Sequence, residues 1–188
     1  VVGASSGIGH ACARALGEAG AQVAVSARSA DRLERLVAHL PGSGHAAIAC
    51  DVTDAEAFAE AALRVRDALG EIDLVLLVAG SYQPMRATEI DLAAMRRMVE
   101  VNLVGAYNGL AAVVPILRRQ GHGHVALTAS VAGYRGLPQA LVYGPTKAAL
   151  INLAETAAID LGPHGIAVHV INPGFVDTPA TAQNEFEM

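Results

Sequence analysis

The segment Tyr143-Gly144-Pro145-Thr146-Lys147 sets a phenol and an ammonium four residues apart. On a helix such positions share a face, so the two groups project together from the first turn. A phenol with a pKa of about 10 is a poor base near neutrality, and an adjacent ammonium favours the phenolate, each pKa unit being worth about 1.4 kcal/mol. Such a pair can give a proton to a reacting oxygen or take one from it. Ser130, 13 residues before Tyr143 in Thr128-Ala129-Ser130-Val131-Ala132-Gly133, offers a hydroxyl that can hold a carbonyl or alcohol oxygen against the phenol. Asn102 sits in an apolar stretch, Val101-Asn102-Leu103, where a buried amide is expensive unless hydrogen-bonded. Taken alone, the Tyr and Lys would also fit a helix start with a surface lysine one turn later.

A second set of residues suits phosphates. After Val1-Val2 the chain reads Gly3-Ala4-Ser5-Ser6-Gly7-Ile8-Gly9 and then turns helical. Glycines there permit a tight turn and a close approach of backbone to a pyrophosphate, and the helix start presents free N–H groups. An ordinary strand-to-helix turn is the plainer reading of the glycines by themselves. Near the other end, Asn172-Pro173-Gly174-Phe175-Val176-Asp177-Thr178 combines a fixed turn with a glycine that tolerates close contact.

These residues need a scaffold, and periodicity supplies one. Apolar runs at Val1-Val2, 22–27, 45–50, 74–79, 124–128 and 167–171 read as strands. Between them lie helical patterns: 8–19 with Ile8, Cys12, Ala15 and Ala19 inward; Leu33, Leu36, Val37 and Leu40; a helix opened by a capping box at Thr53 and Glu56, with Phe58, Ala62, Val65 and Leu69 inward; a long region over 91–119; and 143–161. Regular alternation of this kind predicts an α/β fold, a Rossmann-type doubly wound parallel sheet sandwiched between helices, with its ligands at the carboxyl ends of the strands. The 188 residues predict a single domain, residues 1–188. Apolar residues make up 53% and charged ones 16%, against the usual ~25% charged, which argues against disorder. A net charge of −5 with 4% aromatics and no Trp removes nucleic-acid binding from consideration. The uncharged run 101–117 contains Asn102, Gly105, Asn108, Gly109 and Pro115, so it reads as a core helix and no membrane span is expected. Cys12 and Cys50 form no disulfide framework, which fits a reducing, cytoplasmic setting, and no residues at metal-ligand spacing predict a metal.

The spacing G-x-x-x-G-x-G, with Ile8 between the last two glycines, resembles the short-chain dehydrogenase/reductase family, whose motif is T-G-x-x-x-G-I-G. Ser130, Tyr143 and Lys147, Asn102, and Pro173-Gly174 follow in the family's order over essentially the whole chain. The resemblance implies an NAD(P)-dependent oxidoreductase. In it, Tyr143 would be the proton donor, Ser130 and Tyr143 would bind the substrate oxygen, Lys147 would lower the tyrosine pKa and hold the nicotinamide ribose with Tyr143, and Asn102 would support a water path to the lysine. It also implies cofactor contacts at Gly3, Ser5, Ser6, Gly7, Ile8 and Gly9, adenine contacts at Asp51 and Val52, close approach at Ala79 and Gly80, and cover from Pro173, Gly174, Val176 and Thr178. Two departures stand out: Val2 replaces the family's Thr, and Leu77-Val78 replace the asparagines of N-N-A-G.

Cofactor choice is expected to turn on Ala27, where NAD-preferring members of the family carry Asp. A carboxylate there would bind the adenosine ribose and repel a 2′-phosphate, whereas Arg28 favours that phosphate, with Ser5 or Ser6 assisting, so NADP(H) is favoured over NAD(H). Arg28 would otherwise be a solvated residue ahead of a helix. Asp31 reads as a first-turn carboxylate favourable to the helix dipole.

The expected function is hydride transfer between nicotinamide and a small carbonyl or secondary alcohol. The alternative is a non-catalytic NADP(H)-binding regulatory module, which would have no chemical use for the Ser-Tyr-Lys set. Extended relatives acting as epimerases or dehydratases share Tyr-x-x-x-Lys but usually show G-x-x-G-x-x-G. Tyr82 and Met85, with Tyr134, Arg135, Leu137 and Gln139, are expected around the substrate. The resemblance further implies a homodimer or homotetramer formed through the helices over 91–119 and 143–161. Against the family pattern the domain reads as cut at both ends, stopping at Glu187-Met188 before the segment that covers substrate and before the last strand.

Overall fold

In the computed structural model, which describes residues 1–178, the unalternating apolar runs become the strands of one parallel sheet. They are β1 (Ala24–Ala27), β2 (Ala46–Ala49), β3 (Leu74–Leu77), β4 (Gly123–Thr128) and β5 (Ile166–Ile171). β1 pairs with β2, β3 with β4 and β4 with β5. Val2 joins the two groups through parallel bridges to Ser26 and Leu77. Its N–H donates to the Leu76 carbonyl at 2.8 Å and its carbonyl accepts from the Val78 N–H at 2.9 Å. The spatial order is thus β2, β1, Val2, β3, β4, β5. Strand order reverses at Val2, and a doubly wound sheet opens its ligand crevice at such a point. The expectation about the end of the chain, at 187–188, lies outside the described residues.

Among the described residues six α-helices flank the sheet: α1 (Gly7–Glu18), α2 (Ala30–Ala38), α3 (Ala55–Leu69), α4 (Leu92–Val99), α5 (Gly105–Gln120) and α6 (Tyr143–Leu161). Leu33, Leu36 and Leu40 join Val23, Val25 and Ala13 in one core cluster. A larger one gathers Phe58, Val113, Leu117, Leu127, Leu150 and Ala157 from α3, α5, α6 and the sheet. Leu77, in place of a family asparagine, is buried there, and its side chain fills the space left by Gly109.

The structure moves several boundaries. Strand ends recede to 24–27, 46–49 and 74–77. Helix α1 buries Gly9, Ala13 and Gly17, while Ala15 and Ala19 are exposed. The reason is close packing: a Cβ on Gly9 would run into the Gly3 carbonyl, and one on Gly17 would press on Pro41. Apolar side chains mark a helix face only where helix and sheet stand a side chain apart. Helix α3 is capped by Asp54, whose carboxylate accepts from the Ala57 N–H at 3.0 Å. Thr53 does not cap: its N–H and hydroxyl both donate to Asp51.

The long helical region is three pieces. Between α4 and α5 lies a π-helical turn, Glu100–Val104, a widening found often at functional sites. By length and composition Leu92–Gln120 could cross a membrane. In this fold its Ala106, Val113, Ile116 and Leu117 are buried in the core beside α3 and the sheet.

Candidate active site

A cleft of about 480 Å³ opens at the carboxyl ends of the strands, around the switch at Val2. Every residue expected from sequence to do the chemistry or to touch the cofactor lies on its wall except Asn102. Ser130 ends the segment after β4 with its hydroxyl accepting from the Ala132 N–H at 3.2 Å. Tyr143 and Lys147 share the first turn of α6, as their spacing requires.

Lys147 is 3% exposed, and its Nζ donates to the Thr128 carbonyl at 2.8 Å, lying 5.5 Å from the Tyr143 ring centroid. Burial pulls its ammonium down from 10.5 to about 8. The Tyr143 phenol departs from the expectation. Burial pushes it above its ordinary value, a hydrogen bond with Ser130 pulls it back only in part, and Tyr82 adds to the rise. Lys147 is directed at Thr128, so proximity in sequence does not become a lowered tyrosine pKa here.

Asn102 stands behind the wall at 1% exposure, in the π-helical turn. Its Oδ1 accepts from the Ser81 N–H at 2.7 Å, while its Nδ2 donates to the Ser81 carbonyl at 2.9 Å and to Thr146 Oγ1 at 3.2 Å. Thr146 in turn donates to the Tyr143 carbonyl at 2.8 Å. The amide therefore ties the chain leaving β3 to the first turn of α6. Gly80 lies between: a Cβ there would stand 3.5 Å from both Asn102 Oδ1 and Lys147 Nζ.

The other end of the cleft fits a dinucleotide. Gly3 has φ +91° and Gly7 φ +55°, left-handed values that favour glycine. A Cβ on Gly3 would stand 2.6 Å from the Ala79 nitrogen, so the turn and the end of β3 meet backbone to backbone. Ser6, the residue before α1, makes no side-chain cap bond, leaving the helix start to the cleft. Thr178 approaches Gly7, its Cβ 3.4 Å from where a glycine Cβ would be. Pro173, Gly174 and Val176 close the same side. At the carboxyl end of β1, Arg28 and Ser29 line the cleft together with Arg32, in the first turn of α2. Asp51 lies across from them, its carboxyl held below the usual range first by the Thr53 N–H and more weakly by Arg28. Gly9→Ala tests the turn: it is expected to lower Tm by roughly 5–10 °C and to abolish dinucleotide binding measured by fluorescence titration.

Sequence reasoning missed Arg32 and Thr146. The first lies in the opening turn of α2, directly after Arg28 and Ser29; the second sits inside a motif read only for its ends. Of the residues expected near substrate, Tyr82 and Leu137 line the cleft. Met85 is instead 5% exposed in a cluster with Ala94, Met98 and Val142. Tyr134 is 65% exposed and accepts from Asn172, and Arg135 and Gln139 lie off the wall. His122 lies 3.7 Å from Asp73 and His124 turns to His169 at 3.0 Å, so the two histidines of His122-Gly123-His124 go separate ways. Cys50 lines the cleft with its thiol pushed up by burial, unsuited to nucleophilic work.

A parallel sheet with a glycine turn at its switch point, and Ser, Tyr and Lys at one end of the crevice, defines a Rossmann-type dinucleotide-binding oxidoreductase site. The family model for short chain dehydrogenase matches residues 1–187. An uncharacterized oxidoreductase of Staphylococcus epidermidis is 34% identical over 186 residues, covering 99% of this chain and 80% of that protein. The 3-ketoacyl-(acyl-carrier-protein) reductase of Brucella melitensis, solved with NADH, superposes with a TM-score of 0.90 at 25% identity over 95% of this chain and 75% of that one. An NAD+-bound xylitol dehydrogenase gives 0.86 at 35% identity over 93% of this chain and 68% of its own. The chain belongs to the short-chain dehydrogenase/reductase family and is an NAD(P)-dependent enzyme.

Proposed function

We propose that the protein is an NADP(H)-dependent reductase of a carbonyl group, running in reverse on the secondary alcohol. The observation that carries this reading is the convergence of Ser130, Tyr143 and Lys147 on one end of a cleft whose other end is shaped for a dinucleotide. Gly3, Ser5, Ser6, Gly7, Ile8 and Gly9 would hold the pyrophosphate, Asp51 and Val52 the adenine side, and Ala79, Gly80, Pro173, Gly174, Val176 and Thr178 the nicotinamide side. Bound there, the cofactor supplies or accepts a hydride.

The chain's own residues do the rest. The Ser130 hydroxyl orients the carbonyl oxygen, and Tyr143 Oη carries the proton that this oxygen receives. Because burial raises the Tyr143 pKa, the phenol keeps that proton through neutral and mildly alkaline pH, which suits reduction. Lys147 places a positive charge beneath the phenol, held by the Thr128 carbonyl. Asn102 is a positioning residue: it touches Ser81 and Thr146, fixing the relation of Gly80 to α6.

Preference for NADP(H) rests on Arg28, joined by Arg32, beside an Ala27 that offers no carboxylate. The NADH and NAD+ complexes of two relatives make the choice an open comparison. NADPH is expected to exceed NADH in kcat/KM, and Arg28→Ala to cost about 10–100-fold with NADPH while leaving NADH within about threefold. A wild-type preference for NADH would overturn the assignment. Assembly as a homodimer or homotetramer through α4, α5 and α6 is the accompanying proposal, supported by Tyr107 at 53% and Ile159 at 75% exposure. A cytoplasmic setting goes with the two unpaired cysteines.

A further inference from the structure

Helix α5 stands behind the β2 end of the cleft and meets it at Val52. Gly105 and Asn108, three residues apart and so on one face of α5, both touch that residue. A Cβ on Gly105 would stand 2.8 Å from Val52 Cγ2, so the helix backbone packs directly on the valine. Asn108 Nδ2 donates to the Val52 carbonyl at 2.9 Å, a bond that spans 56 residues of sequence. Val52 is itself buried and lines the cleft, so it is all that separates α5 from the space beside Asp51.

The carbonyl of Val52 and the N–H of Thr53 are the two ends of one peptide unit. The carbonyl accepts from Asn108, and the N–H donates to Asp51 Oδ1 at 3.0 Å, where the Thr53 hydroxyl adds a second bond at 2.9 Å. A chain of hydrogen bonds thus runs from an amide on α5, through one peptide plane, to a carboxylate on the cleft wall, and each member polarises the next. Because the peptide unit is planar and rigid, fixing its carbonyl also fixes the direction of its N–H. The bonds between Asp51 and Thr53 are local and would form in a free turn as well. Asn108 is what ties that turn to the rest of the fold. Both Thr53 bonds fall on Oδ1, which leaves Oδ2 to a ligand.

We propose that Asn108 is a positioning residue for base recognition: by holding the peptide between Val52 and Thr53 it aims the Asp51 carboxylate at the exocyclic amino group of the cofactor's adenine. The inference rests on the placement of the adenine side at Asp51 and Val52 proposed above, and adds what sets the direction of the carboxylate. An ionised carboxylate only accepts hydrogen bonds, and the amino group is the donor on the adenine edge. Hypoxanthine carries an oxygen at that position, which would face the carboxylate with no proton between them.

Fluorescence titration of NADPH and NADH, each against its hypoxanthine counterpart, tests this in wild type, Asn108→Leu, Asn108→Asp, Asp51→Ala and the double variant Asn108→Leu with Asp51→Ala. Wild type is expected to bind the adenine forms about tenfold more tightly than the hypoxanthine forms, as one charge-assisted bond allows. Asn108→Leu keeps similar volume without the donor, and Asn108→Asp sets an acceptor against the Val52 carbonyl. Each is expected to shrink the ratio to about threefold or less by weakening the adenine forms, with the hypoxanthine forms changed little. Asp51→Ala is expected to remove the ratio, and Asn108→Leu to add nothing to it in that background. Equal weakening of both forms by the Asn108 variants, up to loss of binding, is what a merely structural residue gives and overturns the inference. If Asp51→Ala removes the ratio and both Asn108 variants keep it, the inference falls while the adenine placement stands. If Asp51→Ala keeps the ratio, or wild type shows none, the two fall together.

Discussion

Tyr143→Phe is expected to lower kcat for carbonyl reduction by about 10²–10⁴-fold while leaving the Kd for NADPH within a few-fold of wild type. The substitution removes one oxygen and keeps the ring against Tyr82 and beside Lys147. Ser130 retains its hydrogen bond from the Ala132 N–H, so the strand end that carries it has no reason to move. The loss therefore isolates proton supply from packing. Single-turnover absorbance of NADPH with a verified ketone measures it, and wild-type turnover by the variant would remove Tyr143 from the mechanism. The raised pKa of Tyr143 adds a pH signature: reduction should not decline through phenol ionisation near pH 10, because the folded phenol holds its proton above that value.

The residues proposed for the chemistry were readable where their relation is local. Tyr143 and Lys147 are one turn apart on α6, and the helix begins at Tyr143 as periodicity predicts. The glycine turn was likewise readable, since left-handed φ at Gly3 and Gly7 and the approach of Gly3 to Ala79 are demands only glycine meets. What the sequence hid depends on distance and burial. Asn102 is bonded to Ser81, 21 residues away, and to Thr146, 44 away, and no spacing rule couples them. The π-helical turn that aims Asn102 carries no composition of its own. Thr53 and Asp54 are adjacent caps by residue type, and only the observed acceptor distinguishes them.

Burial also reversed one electrostatic expectation. Spacing says that Lys147 lies near Tyr143; it does not say that both leave water. Desolvation disfavours the charged form of each, raising the phenol and lowering the ammonium, and here it outweighs their proximity. The departure at Leu77 follows the same logic in an apolar key: where the family has an amide, this chain buries a side chain against the face of Gly109. The sheet keeps its order because backbone bonds hold Val2 to Leu76 and Val78 on one side and its neighbours Val1 and Gly3 to Ser26 on the other, which any side chain allows.

Lys147→Met should separate function from stability. Holding an ammonium at 3% exposure, with a pKa of about 8 in place of 10.5, destabilises the fold by on the order of 3 kcal/mol at pH 7. A folded pKa below the unfolded one means that both states are protonated below about pH 8 and the full penalty applies there. Between about pH 8 and 10.5 the unfolded chain holds a proton that the folded one has released, so wild-type stability rises with pH. Methionine fills similar volume without charge and loses only the donor to the Thr128 carbonyl, a cost of about 1–3 kcal/mol. The variant is therefore expected to match or exceed wild type in urea denaturation at pH 7, and wild type to gain about 2 kcal/mol on it by pH 9.5. Turnover of a verified ketone should fall by about 10²-fold or more at pH 7. A stability difference that stays flat between those pH values would mean that Lys147 is not held as a buried ammonium. If the difference follows pH and activity is lost, the charge is kept in the core for what it does to the phenol and the cofactor, at a standing cost to the fold.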